Sequence, residues 1–247
     1  DPRIRQALNH FLDREQLREL TIGVKPGAVN PPCQFISGPF VPSSPYYNHA
    51  VDEVVHADYA KAKALMAEVG ARWSEGRWTR NGKPIPLRIG INAALDPEAP
   101  DLLVQVGNQL REAGFETSVY RESSDAWVQQ AITGRLTGKY DMLIGKWSFG
   151  LVEEVNDLFH SRRSGEGSAN LFNYANPEVD TLIEQFDAAR TDTEAQDAYH
   201  ALHATLARDL PYLFLWKLDT KSAWRNEVRD NLIAPYFYFS EFDAWRM

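Results

Sequence analysis

A single cysteine, Cys33, and three methionines are all the sulfur in 247 residues, so no intrachain disulfide can form. A lone cysteine fits a reducing compartment or an exported protein that does without bridges. No run of about 18 apolar residues occurs, which excludes a membrane-spanning helix. Basic residues are also short: 26 Lys and Arg stand against 34 Asp and Glu, a net charge of -8. A nucleic-acid partner is not expected, because phosphate neutralisation needs clustered cations. No secretion signal is visible at the start, and a chain opening on Asp1 instead of Met is expected to be processed or excised. What is present is core material. Hydrophobic residues make up 44% and aromatics 12%, with seven Trp, and charged residues only 24%, so wholesale disorder is excluded. The length suits one large domain or two small ones, at roughly 150 residues each.

Local pattern sets out a mixed α/β chain. Asp1-Pro2 is a helix start, and Ile4, Ala7, Leu8, Phe11 and Leu12 form one apolar stripe. Six prolines between residues 23 and 47 prevent helix there, and Phe35, Ile36, Phe40, Tyr46 and Tyr47 favour an ordered loop laid over a core. A helix is expected over 58–69, closed by Gly70, then a small hairpin around Trp73, Trp78 and Asn81-Gly82. Strand character at 86–92, 115–120 and 140–147 alternates with a helix capped by Asp96-Pro97 and a short one at 125–133. Such alternation predicts a mainly parallel sheet with covering helices. Helices from Asn176-Pro177 and over 193–208 follow, with Tyr199, Leu202 and Leu206 inward, then a buried strand at 212–218.

Catalytic signatures fail in turn. The stretch GRLTGK at 134–139 is one residue short of a phosphate-binding loop and leads into a strand. Neither a Gly-x-Ser-x-Gly elbow nor a His-Glu-x-x-His pair occurs. His200 and His203 lie three apart on a helix without a nearby third ligand, Glu153 and Glu154 are loop neighbours, and nothing in its spacing makes Cys33 a nucleophile. The chain reads as one built to hold something, with no enzyme activity, cofactor or metal expected. In an open parallel sheet, ligands sit beyond the carboxyl ends of the strands. Trp147 falls there, before a polar loop, and is either strand-end core or an aromatic face for an elongated ligand.

Seven segments in order then carry a family likeness. They are DPRIRQALNHFLDRE at 1–15, DYAKAKALMAEVG at 58–70, GRW with NGKPIPL at 76–87, LREAGF at 110–115, the strand 140–147, NYANPEVD at 173–180 and DLPYLFL at 209–215. Together they resemble the second lobe of family 5 extracellular solute-binding proteins, the oligopeptide, dipeptide and nickel receptors of ABC importers. The resemblance implies an α/β, periplasmic-binding-protein-like lobe with a mainly parallel central sheet flanked by helices. It implies a C-terminal lobe over 1–219 and a tail, 220–247, returning to a missing N-terminal lobe of the same protein.

It further implies a periplasmic or otherwise extracytoplasmic, membrane-associated location, a small peptide or peptide-like ligand, and an ABC permease in the inner membrane as partner. Residues 33–40, including Phe35, with Trp147, Ser148, Phe149 and Gly150, and with Asn170, Asn173 and Tyr174, are expected to line the cleft. Arg135 matches a contact position of some oligopeptide receptors. Peptide receptors of the family commonly place an Asp three residues after this Trp, where this chain has Gly150. Glu153 or Glu154 is the expected substitute for that charge. Two other readings stay open: a metal or metal-chelate receptor of the same family, with His160 near the cleft, and an interaction module using the aromatic tail.

Overall fold

Capping chemistry sets the first elements. Helix α1 (Pro2–Phe11) starts where the Asp1 carboxylate accepts from the Arg3 amide, and it buries Ala7, Leu8 and Phe11 as its stripe requires. Asp13 caps a second helix, α2 (Arg14–Ile22), which ends on Gly23 in the left-handed conformation. Periodicity did not separate α2 from α1, although Asp13 and Gly23 mark both its ends. The computed structural model describes residues 1–29, 31–94, 99–133, 136–148, 155–165, 168–219, 223–230, 243 and 245–246.

The proline-rich segment is an ordered path, and it carries strand β1 (Cys33–Phe35). After it, α3 (Tyr59–Glu68) is capped by Asp58 and buries Ala62 and Met66. Strands β2 (Arg72–Ser74), β3 (Arg77–Arg80) and β4 (Lys83–Pro84) form a small antiparallel sheet in that order. Strand β5 (Pro86–Asn92) and helix α4 (Ala99–Glu112) follow. Next come β6 (Glu116–Glu122), α5 (Ser124–Ile132), α6 (Leu136–Lys139) and β7 (Met142–Ile144). Strand β5 lies between β6 and β7 and is parallel to both, from Pro86 opposite Glu116 to Asn92 opposite Glu122 and from Ile89 opposite Met142 to Ile91 opposite Ile144. The parallel α/β arrangement expected from the sequence is the one observed. The Asp96-Pro97 cap lies outside the described residues.

Strand β7 is shorter than its apolar run. Asp141 is drawn to Arg88, which donates to its carboxylate from the backbone amide, Nε and Nη2 at 2.8–3.0 Å, and Tyr140 turns away to cover Gly90. A Cβ on Gly90 would stand 2.9 Å from the buried Tyr140 ring, whose hydroxyl is tied to Glu122. The ring cannot retreat. Gly90→Ala should therefore destabilise the fold by about 1–3 kcal/mol, the usual cost of overpacking. Chemical denaturation that detects no loss would contradict this packing.

Two apolar clusters result. The first joins Leu8, Phe11, Leu17 and Met66 to Ile89, Ile91, Leu103, Leu110 and Phe115. The second is built on α7 (Asn156–Phe159), α8 (Pro177–Ala188) and α9 (Asp192–Asp209), and takes in Phe40, Tyr47, Phe159, Ile183, Tyr199 and Leu206. Here Phe186 and Tyr199 stack at 3.8 Å. The last strand, β8 (Trp216–Leu218), covers only the end of the apolar run at 212–218 and pairs antiparallel with β1.

Candidate functional site

The carboxyl ends of the parallel strands carry polar groups. Asn92 closes β5, and its Oδ1 accepts from the Ala94 amide at 3.1 Å and from the Ser124 hydroxyl at 3.2 Å. Glu122 closes β6 and accepts from Lys139 Nζ at 2.5 Å and from the Tyr140 hydroxyl. These two donors hold its carboxyl below the ordinary range. Sequence reading singled out none of these residues, because each belongs to a different element and only the parallel register gathers them. The signal available was position alone: Asn92 and Glu122 each end a strand.

Trp147 follows β7 by three residues and is 45% exposed. Its indole faces the Tyr212 hydroxyl, which burial pushes up to about 12. One end of the indole thus lies toward the second cluster while much of the ring meets solvent. Ser148 beside it is exposed. Arg135, Phe149, Gly150, Glu153 and Glu154 lie outside the described residues.

Asn170, Asn173 and Tyr174 come together in a braced turn. Asn170 is buried, donates to the Tyr174 carbonyl at 2.8 Å and accepts from the Tyr174 amide at 2.9 Å. Asn173 adopts φ +52°, and its Oδ1 accepts from the Gly165 amide at 3.0 Å. The Tyr174 hydroxyl donates to Asp209 at 2.8 Å; burial first, then this carboxylate, raises its pKa. The side chains of Asn170 and Tyr174 are thus engaged with the protein itself. Along 33–40, Cys33 and Phe40 are buried, and the half-buried Phe35 ring lies 4.4 Å from the Arg18 guanidinium carbon. His160 is buried beside Arg162, Asp180 and Glu184. Among the described residues no group of three or more His, Cys, Asp or Glu could hold a metal ion.

One constellation escaped the sequence altogether. Ser37 Oγ lies 3.0 Å from His203 Nε2 and donates to Asp52 at 3.1 Å, while the Tyr47 hydroxyl donates to Asp52 at 2.6 Å. Serine, histidine and aspartate invite a hydrolytic reading, and the proton inventory rejects it. His203 Nδ1 accepts from the Asn48 backbone amide at 2.9 Å, so the neutral ring carries its hydrogen on Nε2 and donates to Ser37. A general base would need the opposite polarity. Ser37 and His203 are also fully buried. Burial lowers His203 to about 4; burial opposes, but hydrogen bonds from Tyr47, His49 and Ser37 prevail in keeping Asp52 below the usual carboxylate range. His200, three residues earlier, turns instead to the Pro45 carbonyl at 3.0 Å.

Comparison with known proteins follows the same lines. The family described as "Bacterial extracellular solute-binding proteins, family 5 Middle" matches residues 1–169. Oligopeptide-binding protein AppA of Bacillus subtilis is 27% identical over 224 residues, which cover 87% of this chain and 38% of AppA. The solved structure of AppA from Bacillus subtilis in complex with a nonapeptide gives a TM-score of 0.79 at 23% identity, covering 100% of this chain and 47% of that one. NikZ from Campylobacter jejuni in complex with Ni(L-His) gives 0.75 at 16% identity, covering 100% of this chain and 49% of that one. The chain thus spans less than half the length of these relatives. At such identities the structural likeness establishes the fold, that of the periplasmic binding proteins.

Proposed function

This chain belongs to the bacterial extracellular solute-binding proteins of family 5, and from that membership we propose that it forms one wall of a solute-binding cleft. A second lobe of the same protein, preceding residue 1, closes the cleft, and residues 220–247 return to it. The whole is the extracytoplasmic receptor of an ABC importer, which captures peptides or peptide-like solutes and hands them to a membrane permease. The observation that carries this reading is Trp147: at the carboxyl end of a parallel sheet, one end toward the Tyr212 hydroxyl and nearly half exposed. Binding without chemistry agrees with a buried Ser37 that His203 cannot activate. Neighbours of this fold hold a nonapeptide in one case and Ni(L-His) in another. The fold therefore does not choose the solute, and the peptide class rests on the relationship to AppA in sequence.

Trp147→Ala in the full-length protein should weaken peptide binding by about 1–3 kcal/mol, the range of a significant aromatic contact. Unfolding stability should change less than for a core aromatic, since nearly half the ring is already in water. Calorimetry with a peptide panel, paired with thermal melts, decides it. Unchanged affinity would remove Trp147 from the cleft. Changing both Glu153 and Glu154 to Gln should reduce affinity for peptides with a free amino terminus and spare acetylated ones, through loss of a charge-assisted hydrogen bond.

A further inference from the structure

Away from the sheet's carboxyl ends, the chain forms an open cavity of about 240 Å3 between α2, α3, α4 and β2. Phe11 forms its floor, and Tyr59 and Trp73 stand beside it, each 50% exposed. Both offer broad apolar surface beside a polar edge, and here both are held in place. Trp73 meets the Trp78 ring edge-on at 5.2 Å across the β2–β3 pair. It also lies so close to Gly114 that a Cβ there would come within 2.2 Å of the indole. Tyr59 rests on Phe11 at 6.2 Å. The two rings are fixed walls.

Polar groups complete the lining. Gln109 is buried; its Oε1 accepts from the Asp13 amide at 2.9 Å, and its Nε2 donates to Gln16 Oε1 at 2.7 Å. With its oxygen engaged, Gln16 has its own Nε2 donor left over. Lys63 and Glu112 are exposed and make no hydrogen bond or ion pair with the described residues. The cavity thus offers an amide donor, an ammonium and a carboxylate around two aromatic walls, with the two charges cancelling.

We infer that this cavity is a binding site for a neutral saccharide, one or two pyranose rings in length, distinct from the proposed cleft. A pyranose presents an apolar C–H face that covers an indole, and a rim of hydroxyls that each donate and accept. The mixed set of Gln16, Lys63 and Glu112 matches that rim, and its zero net charge favours a neutral ring over a charged one. The volume falls below the roughly 300–1,000 Å3 that hold drug-sized ligands, which limits the occupant to a short unit.

Saturation-transfer NMR on the full-length protein with cellobiose, maltose, mannobiose and chitobiose tests this, with glucuronate and glucosamine as charged comparators. At least one neutral disaccharide should bind saturably in the millimolar range, ahead of both charged sugars. Trp73→Ala should weaken that binding tenfold or more, and Glu112→Gln severalfold. Because Glu112 is exposed and unpaired, the second variant keeps its fold and separates lost contact from lost structure. Trp147→Ala should leave saccharide binding unchanged, whatever it does to peptide binding. Absence of saturable binding by all four disaccharides overturns the inference, as does binding indifferent to Trp73 and Glu112. Binding lost with Trp147 and kept without Trp73 would move the sugar to the cleft and also overturn it.

Discussion

Arg14→Met should lower the free energy of unfolding by about 3–5 kcal/mol, the sum expected when several buried acceptors lose one donor. The guanidinium is 3% exposed and its pKa is lowered to about 10 by that burial. Its Nε donates to the Phe214 carbonyl at 2.8 Å, Nη1 to the Asn9 carbonyl at 3.3 Å, and Nη2 to Asn9 Oδ1 at 2.5 Å. Methionine fills much of the volume and satisfies none of these oxygens. The effect should exceed that of an exposed arginine, because here water cannot replace the lost donor. Phe214 belongs to the second cluster, whereas Leu213 and Leu215 pack on the first, so Arg14 fastens the seam between them. Arg14→Lys keeps a charge but lacks the planar fork and should fall between wild type and Met. Urea denaturation followed by far-UV circular dichroism measures all three. A Met variant within about 1 kcal/mol of wild type would show that these oxygens find other donors.

Acidification should act through His203. Its pKa is about 4 in the fold and near 6.5 in the unfolded chain, so the unfolded state takes up the proton first. Stability contributed by the neutral ring is complete above pH 6.5, declines as pH falls, and is gone once pH passes through 4. The separation corresponds to about 3 kcal/mol. Burial is the main cause, since the charged ring loses its water. Protonation would also break a hydrogen bond: a protonated Nδ1 cannot accept the Asn48 amide, which is left facing a donor. Charged neighbours act more weakly. Asp52 favours the proton, while His49 and His200 oppose it. His10, also lowered by burial, adds a smaller slope of the same sign. His203→Phe should cost stability at neutral pH, since it strands the Asn48 amide and removes the donor to Ser37. It should also flatten the decline between pH 6.5 and 4. A slope that survives this substitution would place the acid sensitivity elsewhere.

Much of the architecture is legible in the sequence. The Asp1-Pro2 start, the Asp58 cap and the Asn176-Pro177 start mark helices α1, α3 and α8 as the structure has them. Tyr199, Leu202 and Leu206 announced the buried face of α9. The strand–helix alternation announced a parallel sheet, and seven ordered segments announced the family. The reading failed where local and distant demands competed. An apolar run from Tyr140 to Trp147 looks like one strand, yet Tyr140 is spent covering Gly90, Asp141 is held by Arg88, and Trp147 lies half in solvent. The run at 212–218 yields only β8, because β1 offers three residues to pair with.

The sequence by itself determined helices α1, α3, α4, α5, α8 and α9, the buried faces of α1 and α9, the parallel α/β class and the family. Those properties are written at separations of three, four and two residues, or in short motifs, and each is visible within one segment. Tertiary structure alone decided which polar groups meet. Ser37 and His203 are 166 residues apart, and Gln16 reaches Gln109 across 93. The walls of the aromatic cavity come from α3 and β2. No periodicity records such pairings, because each is set by how whole elements pack and not by the residues beside it in the chain.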